Sequence, residues 1–152
     1  MTLAYWCILL AYLLPLFCAT IAKATGGFKP SDNRNPREFL AHTQGLSARA
    51  DAAQQNGFET FAPFAAAVLV AHATGNAEQS TINLLAVLFI AFRLSFIYCY
   101  LADKSTMRSL TWAGGLCCII GLFVAAVCRL LLCKLPLKAC SQNSPQRFYC
   151  RY

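Results

Sequence analysis

The chain alternates long apolar runs with short polar ones, and the runs are about as long as a bilayer core is thick. Thr2 to Ala22 carries no charge. About 20 apolar helical residues cross a ~30 Å hydrocarbon layer, so this run predicts a first membrane span over residues 2–22. A cleaved leader would put a basic start ahead of a shorter apolar core. Here the first Lys is Lys23, behind the run. Pro15 inside it marks a candidate kink.

From Lys23 to Gln55 the pattern turns polar, and GGFKPSDNRNPREF has the Gly, Pro, Asn and Asp punctuation of a loop. The breakers thin out from Pro36 onward, where a helix can start with Asn35 as its cap. The pattern predicts that this helix continues without interruption into a second span over residues 58–74, with Gly45, Gly57 and Pro63 as its weak points. Gly75 to Ser80 reads as a turn. A third span follows over 81–101, interrupted by Arg93, then the connection ADKSTMRS, then a fourth span over 109–128 with 20 uncharged residues. The expected architecture is all-α: an integral membrane four-helix bundle over residues 1–128, followed by a basic, poorly ordered tail over 129–152.

Composition agrees with a lipid environment. The chain is 58% hydrophobic and 12% charged, against roughly 45–50% and 25% for a soluble domain. A water-soluble domain of 152 residues leaves too much of its surface in solvent to hide that excess. The net charge is +7, but five basic residues (Arg129, Lys134, Lys138, Arg147, Arg151) fall in the tail, where there is no acid. Without a recognisable binding module, that tail gives no ground for a nucleic-acid partner. Loops one (Lys23, Lys29, Arg34, Arg37, Arg49) and three (Lys104, Arg108) hold the basic residues between spans. The positive-inside rule therefore puts both loops in the cytoplasm and both termini outside, although the basic tail runs against that rule.

The nine cysteines, at 7, 18, 99, 117, 118, 128, 133, 140 and 150, lie mostly inside apolar runs, where Cys acts as a small hydrophobe. Neither a disulfide framework nor zinc-site spacing is present, and His42 and His72 lack neighbouring ligands. No metal site is expected.

Chemistry is expected where polar residues enter the spans. A charge in the hydrocarbon costs about 2.5–3.5 kcal/mol on insertion scales, so Arg93 needs a reason. Because successive spans alternate in direction, the start of span two, the end of span three and the start of span four share one leaflet. Asn56, Glu59, Arg93, Tyr100 and Arg108 should converge there. Arg49, Ala52, Asn56, Glu59 and Pro63 recur at three- and four-residue intervals, one helix face, and Arg93 and Tyr100 are two turns apart. Ala62/Ala66 and Ala67/Ala71 offer small residues for close helix approach. The plain reading is that Glu59 and Arg93 form an interhelical pair that fixes packing. With an amide, a phenol and a second cation in the same layer, the set also suits an anionic, amide-bearing ligand such as glutathione.

NPREFL, RADAAQQNGFETFAPFAAAVLVA and RLSFIYCYLADKSTMRS together resemble the membrane-associated proteins in eicosanoid and glutathione metabolism, the MAPEG family, over about residues 1–126 and most closely its short bacterial-type members. The resemblance implies a homotrimer of four-helix subunits, in the inner (plasma) membrane if the source is bacterial. Glutathione would be the co-substrate, bound between subunits near the cytoplasmic side, and a small lipophilic electrophile or hydroperoxide would be the substrate. By position, Asn56, Glu59 and Gln54 would bind the tripeptide, Arg93 would support the pocket and Tyr100 would contact the ligand. Arg108 would face the thiol as the catalytic cation. Glutathione-binding members have an Arg four residues before the Asn, where this chain has Ala52; Arg49, one turn earlier, is the available substitute. Phe96 stands where some members have Tyr or His. Two functions follow as expectations. One is a glutathione-dependent transferase or peroxidase; the other is a non-catalytic trimer of the same fold that binds another small ligand or none. Four short spans without broken-helix pairs speak against a repeat-built transporter.

Overall fold

The structure is a computed structural model that describes residues 1–134, with side-chain surroundings through Val127. It contains α1 (Leu3–Gly26), a 3-10 turn (Pro30–Arg34), α2 (Pro36–Ala41), α3 (Gly45–Thr74), α4 (Gln79–Leu101) and α5 (Ser105–Lys134). Of the tail expected over residues 129–152, residues 129–134 continue α5, and residues 135–152 lie outside the described residues. The four long helices pack side by side: α1 against α3 and α4, α5 against α3 and α4, with α3 and α4 in contact across the middle.

The inside of the bundle is built from small residues. On α1 the buried positions are Ala4, Cys7, Ala11, Pro15, Cys18 and Ala22, at three- and four-residue spacing. Its large side chains, Trp6, Leu9, Leu10, Leu13 and Phe17, point outward. This inverts the usual amphipathic pattern and suits lipid, where close van der Waals packing of small residues holds helices together. Gly57 of α3 lets α1 approach closely, since a Cβ there would lie 2.6 Å from Pro15 Cγ. Pro15 thus serves as a packing surface, and α1 continues through it without a break. Below this contact Phe64 and Phe89 stack with ring centroids 3.9 Å apart.

Several boundaries differ from the sequence reading. α1 runs to Gly26, about one turn beyond residue 22, and ends on Gly27 in the left-handed conformation (φ 74°). The continuous helix expected from Pro36 is broken at residues 42–44. Side chains there take up carbonyls: Thr43 Oγ1 donates to Leu40 O at 2.7 Å, and His42 Nδ1 lies 2.8 Å from Glu38 O. Such local bonds compete with helix continuation, and Gly45 re-enters the helix with φ 61°. Asn35 precedes α2, but its amide donates to Glu38 Oε2 and makes no cap bond to the backbone. Ala67 and Ala71 are buried as expected for close approach, whereas Ala62 and Ala66 face outward. α5 starts at Ser105, so Arg108 sits in its first turn and not in a loop.

Three described helices are long and apolar enough to cross a membrane: α1, α4 and α5 through Val127. α3 has 30 residues, but Arg49, Asp51 and Glu59 make its first half polar.

The two ends of the bundle are tied differently. At one end Thr2 Oγ1 and His72 Nε2 are 3.0 Å apart, the Tyr5 ring stacks on His72, and the Ala4 N–H donates to Asn83 Oδ1 at 3.2 Å. There Asn76 Nδ2 also donates to Ala126 O at 2.9 Å, so all four long helices are cross-linked. At the other end Ser47 Oγ donates to Ala22 O at 2.6 Å, and Arg49 lies 3.9 Å from Asp103. The expected polar layer gathers at this second end.

Candidate functional site

Arg93 anchors the layer. It is 5% exposed on α4, and its Nη1 donates to Asn56 Oδ1 of α3 at 2.9 Å. The expected Glu59–Arg93 pair does not form: among the described residues the ion pair present is Arg49–Asp103. Asn56 takes the interhelical role, while Glu59 remains exposed one turn along the same face. Arg93 Nη2 is buried with no hydrogen-bond partner. An unpaired donor of that kind is costly, and an acceptor on a ligand would relieve it.

Two rings stand between two cations from Arg93 toward the helix end. The Arg93 guanidinium lies 4.5 Å from the Phe96 ring, Phe96 meets Tyr100 edge-on at 5.3 Å, and Arg108 of α5 lies 4.5 Å from the Tyr100 ring. The helical spacing explains the order. Residues 93, 96 and 100 fall three and four apart, one above the next. Phe96 is therefore a buried spacer between two cations, each attracted to an aromatic face.

Two adjoining cavities open on this layer. One, of about 470 Å³, is lined by Asn56, Phe96, Tyr100, Arg108, Ser109, Trp112 and Ala113. The other, of about 280 Å³, holds Asn56, Glu59 and Arg93 at its polar side and Pro63, Phe89, Gly115, Leu116 and Ile119 at its apolar side, with Trp112 again in the wall. Asn56 and Trp112 border both. The structure thus brings together Asn56, Glu59, Arg93, Tyr100 and Arg108. Two other candidates stand apart. Arg49 turns to Asp103, with its Nε buried and unpaired, and Gln54 lines neither cavity, although its Oε1 is likewise buried without a partner.

Trp112 is the residue that sequence reasoning missed. Its signal was available: it lies four residues after Arg108, on the same face of α5. The expectation of a loop through Ser109 concealed that register.

No group of three or more His, Cys, Asp or Glu with metal-ligand geometry occurs among the described residues. What the site presents is two guanidinium groups, one carboxylate, an amide and a phenol around open space. That set can bind an anion bearing an ammonium or amide group, and it can hold a second anion beside Arg108.

A family model described as the MAPEG family matches residues 3–128. Among curated proteins, nothing matches the chain.

Proposed function

The chain belongs to the MAPEG family, and from that premise we propose that it is a membrane-embedded, glutathione-dependent transferase or peroxidase acting on lipophilic electrophiles or hydroperoxides. Membership makes it an integral membrane protein of a family that includes such enzymes. The observation that carries the reading is the Arg93–Asn56 bond at the seam of two cavities that also hold Tyr100 and Arg108.

In this reading the γ-glutamyl ammonium lies near Glu59 and a carboxylate takes the free Nη2 of Arg93. Asn56 pairs with a peptide group, whereas Gln54, outside both cavities, is left out of this arrangement. Tyr100 contacts the tripeptide, and the thiol faces Arg108. A cysteine thiol has a pKa near 8.5 and ionises more readily beside a cation. The thiolate then forms a C–S bond to an electrophile, whose leaving group departs or whose new carbanion takes a proton. With a hydroperoxide, the sulfur takes the terminal oxygen as the O–O bond breaks. The alkoxide is protonated to an alcohol, and a second glutathione converts the sulfenic product to disulfide and water. The proposed assembly is a homotrimer, multi-pass, with α3 as the fourth crossing helix and the polar layer on the cytoplasmic side of what would be the inner membrane in a bacterium.

A second reading is favoured by one observation. The cation missing at Ala52 is not replaced in either cavity, because Arg49 pairs with Asp103. A non-catalytic protein of the same fold, holding a less charged ligand or none, would look this way.

Glutathione titrated into the purified protein in detergent separates the two. Saturable heat of binding is expected, together with conjugation that Arg108→Ala lowers by about a hundredfold, the scale of losing one preorganised charge-stabilising donor. No binding heat, or turnover indifferent to Arg108, removes the enzymatic reading.

A further inference from the structure

Arg49 is a cation of the polar end that lines neither of the two cavities. It lies on the same face of α3 as Asn56, seven residues earlier, which is about 10 Å along the axis at 1.5 Å per residue. Its partner Asp103 lies one turn beyond Tyr100 at the end of α4, and the Asp103 N–H donates to Tyr100 O at 3.2 Å. Asn56 and Tyr100 both line the 470 Å³ cavity. The Arg49–Asp103 contact therefore stands at the outer end of the two helices whose side chains form that cavity's wall.

The contact is loose. Arg49 Nη1 and Asp103 Oδ2 are 3.9 Å apart, too far for a hydrogen bond, and Arg49 Nε is buried with no partner. The guanidinium thus keeps donors unspent, and a carboxylate that came closer would form the shorter, stronger bonds of a charge-assisted pair. The backbone of Asp103 is fixed in its turn. Its φ is 57°, in the left-handed region, and the Lys104 N–H closes the turn by donating to Cys99 O at 2.9 Å.

We infer that Asp103 is a competing carboxylate, a latch that holds Arg49 until an anionic ligand takes it. This role rests on the glutathione reading above, which gives the γ-glutamyl end to Glu59 and Arg93 and the thiol to Arg108 but leaves the glycine carboxylate without a partner. An extended tripeptide spans about 10 Å, so a ligand paired with Asn56 reaches toward Arg49 with that carboxylate. Binding exchanges one ion pair for another: Arg49 leaves Asp103, and Asp103, already largely exposed, returns to water. The exchange lowers affinity, and the cation missing at Ala52 is recovered when it occurs. A ligand without the second carboxylate gains nothing from Arg49.

Asp103→Asn removes the charge and keeps a residue that tolerates positive φ. Glutathione titrated by calorimetry into the purified full-length protein in detergent should bind that variant about two- to fivefold more tightly than the wild-type chain, the range a part-exposed ion pair supplies. Arg49→Ala should weaken binding, and adding Asp103→Asn to it should change nothing further. The glycine ethyl ester of glutathione, which lacks the carboxylate in question, should bind wild-type and Asp103→Asn protein alike. Should Asp103→Asn fail to fold, Asp103→Gly suits the same φ. Equal glutathione affinity in the two proteins overturns the latch and leaves the enzymatic reading standing. A gain that persists without Arg49, or that the ester shows equally, is a general charge effect and overturns the latch too. Binding to Asp103→Asn alone upholds the latch and removes the enzymatic reading for the chain as it stands; binding to neither removes both.

Discussion

Arg93 is nearly fully buried, and one amide oxygen is its described hydrogen-bond acceptor. A hydrogen bond to a charged group contributes about 1.5–3 kcal/mol. Asn56→Leu should therefore lower the stability of the detergent-solubilised protein by about 2–3 kcal/mol, read from its thermal or denaturant unfolding. Asn56→Asp, which keeps an acceptor, should recover most of it. By contrast, the Arg49–Asp103 contact joins a part-exposed and a largely exposed side chain, and such surface pairs are worth about 0–1 kcal/mol. The candidate residues were legible because a charge or amide inside an apolar run stands out, and spacing gave their helix faces. Spacing does not give the rotation of one helix against another. That is why Glu59 appeared to be the partner of Arg93, when Asn56, one turn away on the same face, makes the bond.

At the scale of the helix, contact between α1 and α3 depends on an absent side chain. Gly57→Ala puts a methyl group against Pro15, and overpacking of this kind costs about 1–3 kcal/mol. Pro15→Ala removes the ring that stands in the way, so the double variant should be more stable than the Gly57→Ala single variant by most of that amount. Circular dichroism melts of the three variants in detergent test the coupling. Helix positions were legible from the length of the apolar runs. The break at residues 42–44 was not, because it follows from side-chain bonds of His42 and Thr43 to carbonyls that hydrophobic periodicity does not register. The outward turn of Ala62 and Ala66 was hidden for a different reason. A pair of small residues marks a face that permits close approach, and a single sequence does not say which neighbour uses it.

Across the whole molecule, the end away from the polar layer is cross-linked among all four long helices by Thr2, His72, Ala4, Asn83 and Asn76. The end bearing the cavities relies on the Arg93–Asn56 bond between α3 and α4, on Ser47, on the surface pair at Arg49 and on a connection of 3-10 turn and short α2. Local opening follows the density of buried contacts. Amides of residues 28–48 should therefore exchange hydrogen for deuterium faster than those of residues 64–74, and a bound ligand should slow exchange at the start of α3. Equal protection at both ends would contradict this picture. Four long helices and their lipid setting were legible in the sequence, but this contrast depends on contacts between residues up to 79 positions apart.

The Arg93–Asn56 bond also bears on how the chain is made. Synthesis proceeds from the N-terminus, so α3 emerges before α4. When the arginine-bearing helix leaves the ribosome, the amide that will receive its charge is already present. α4 is apolar enough to enter lipid despite that charge, with a mean hydropathy of 2.2 over its best window. A chain that lost Asn56 would face its difficulty at insertion, before any tertiary packing, and its defect would register as a smaller yield of integrated protein.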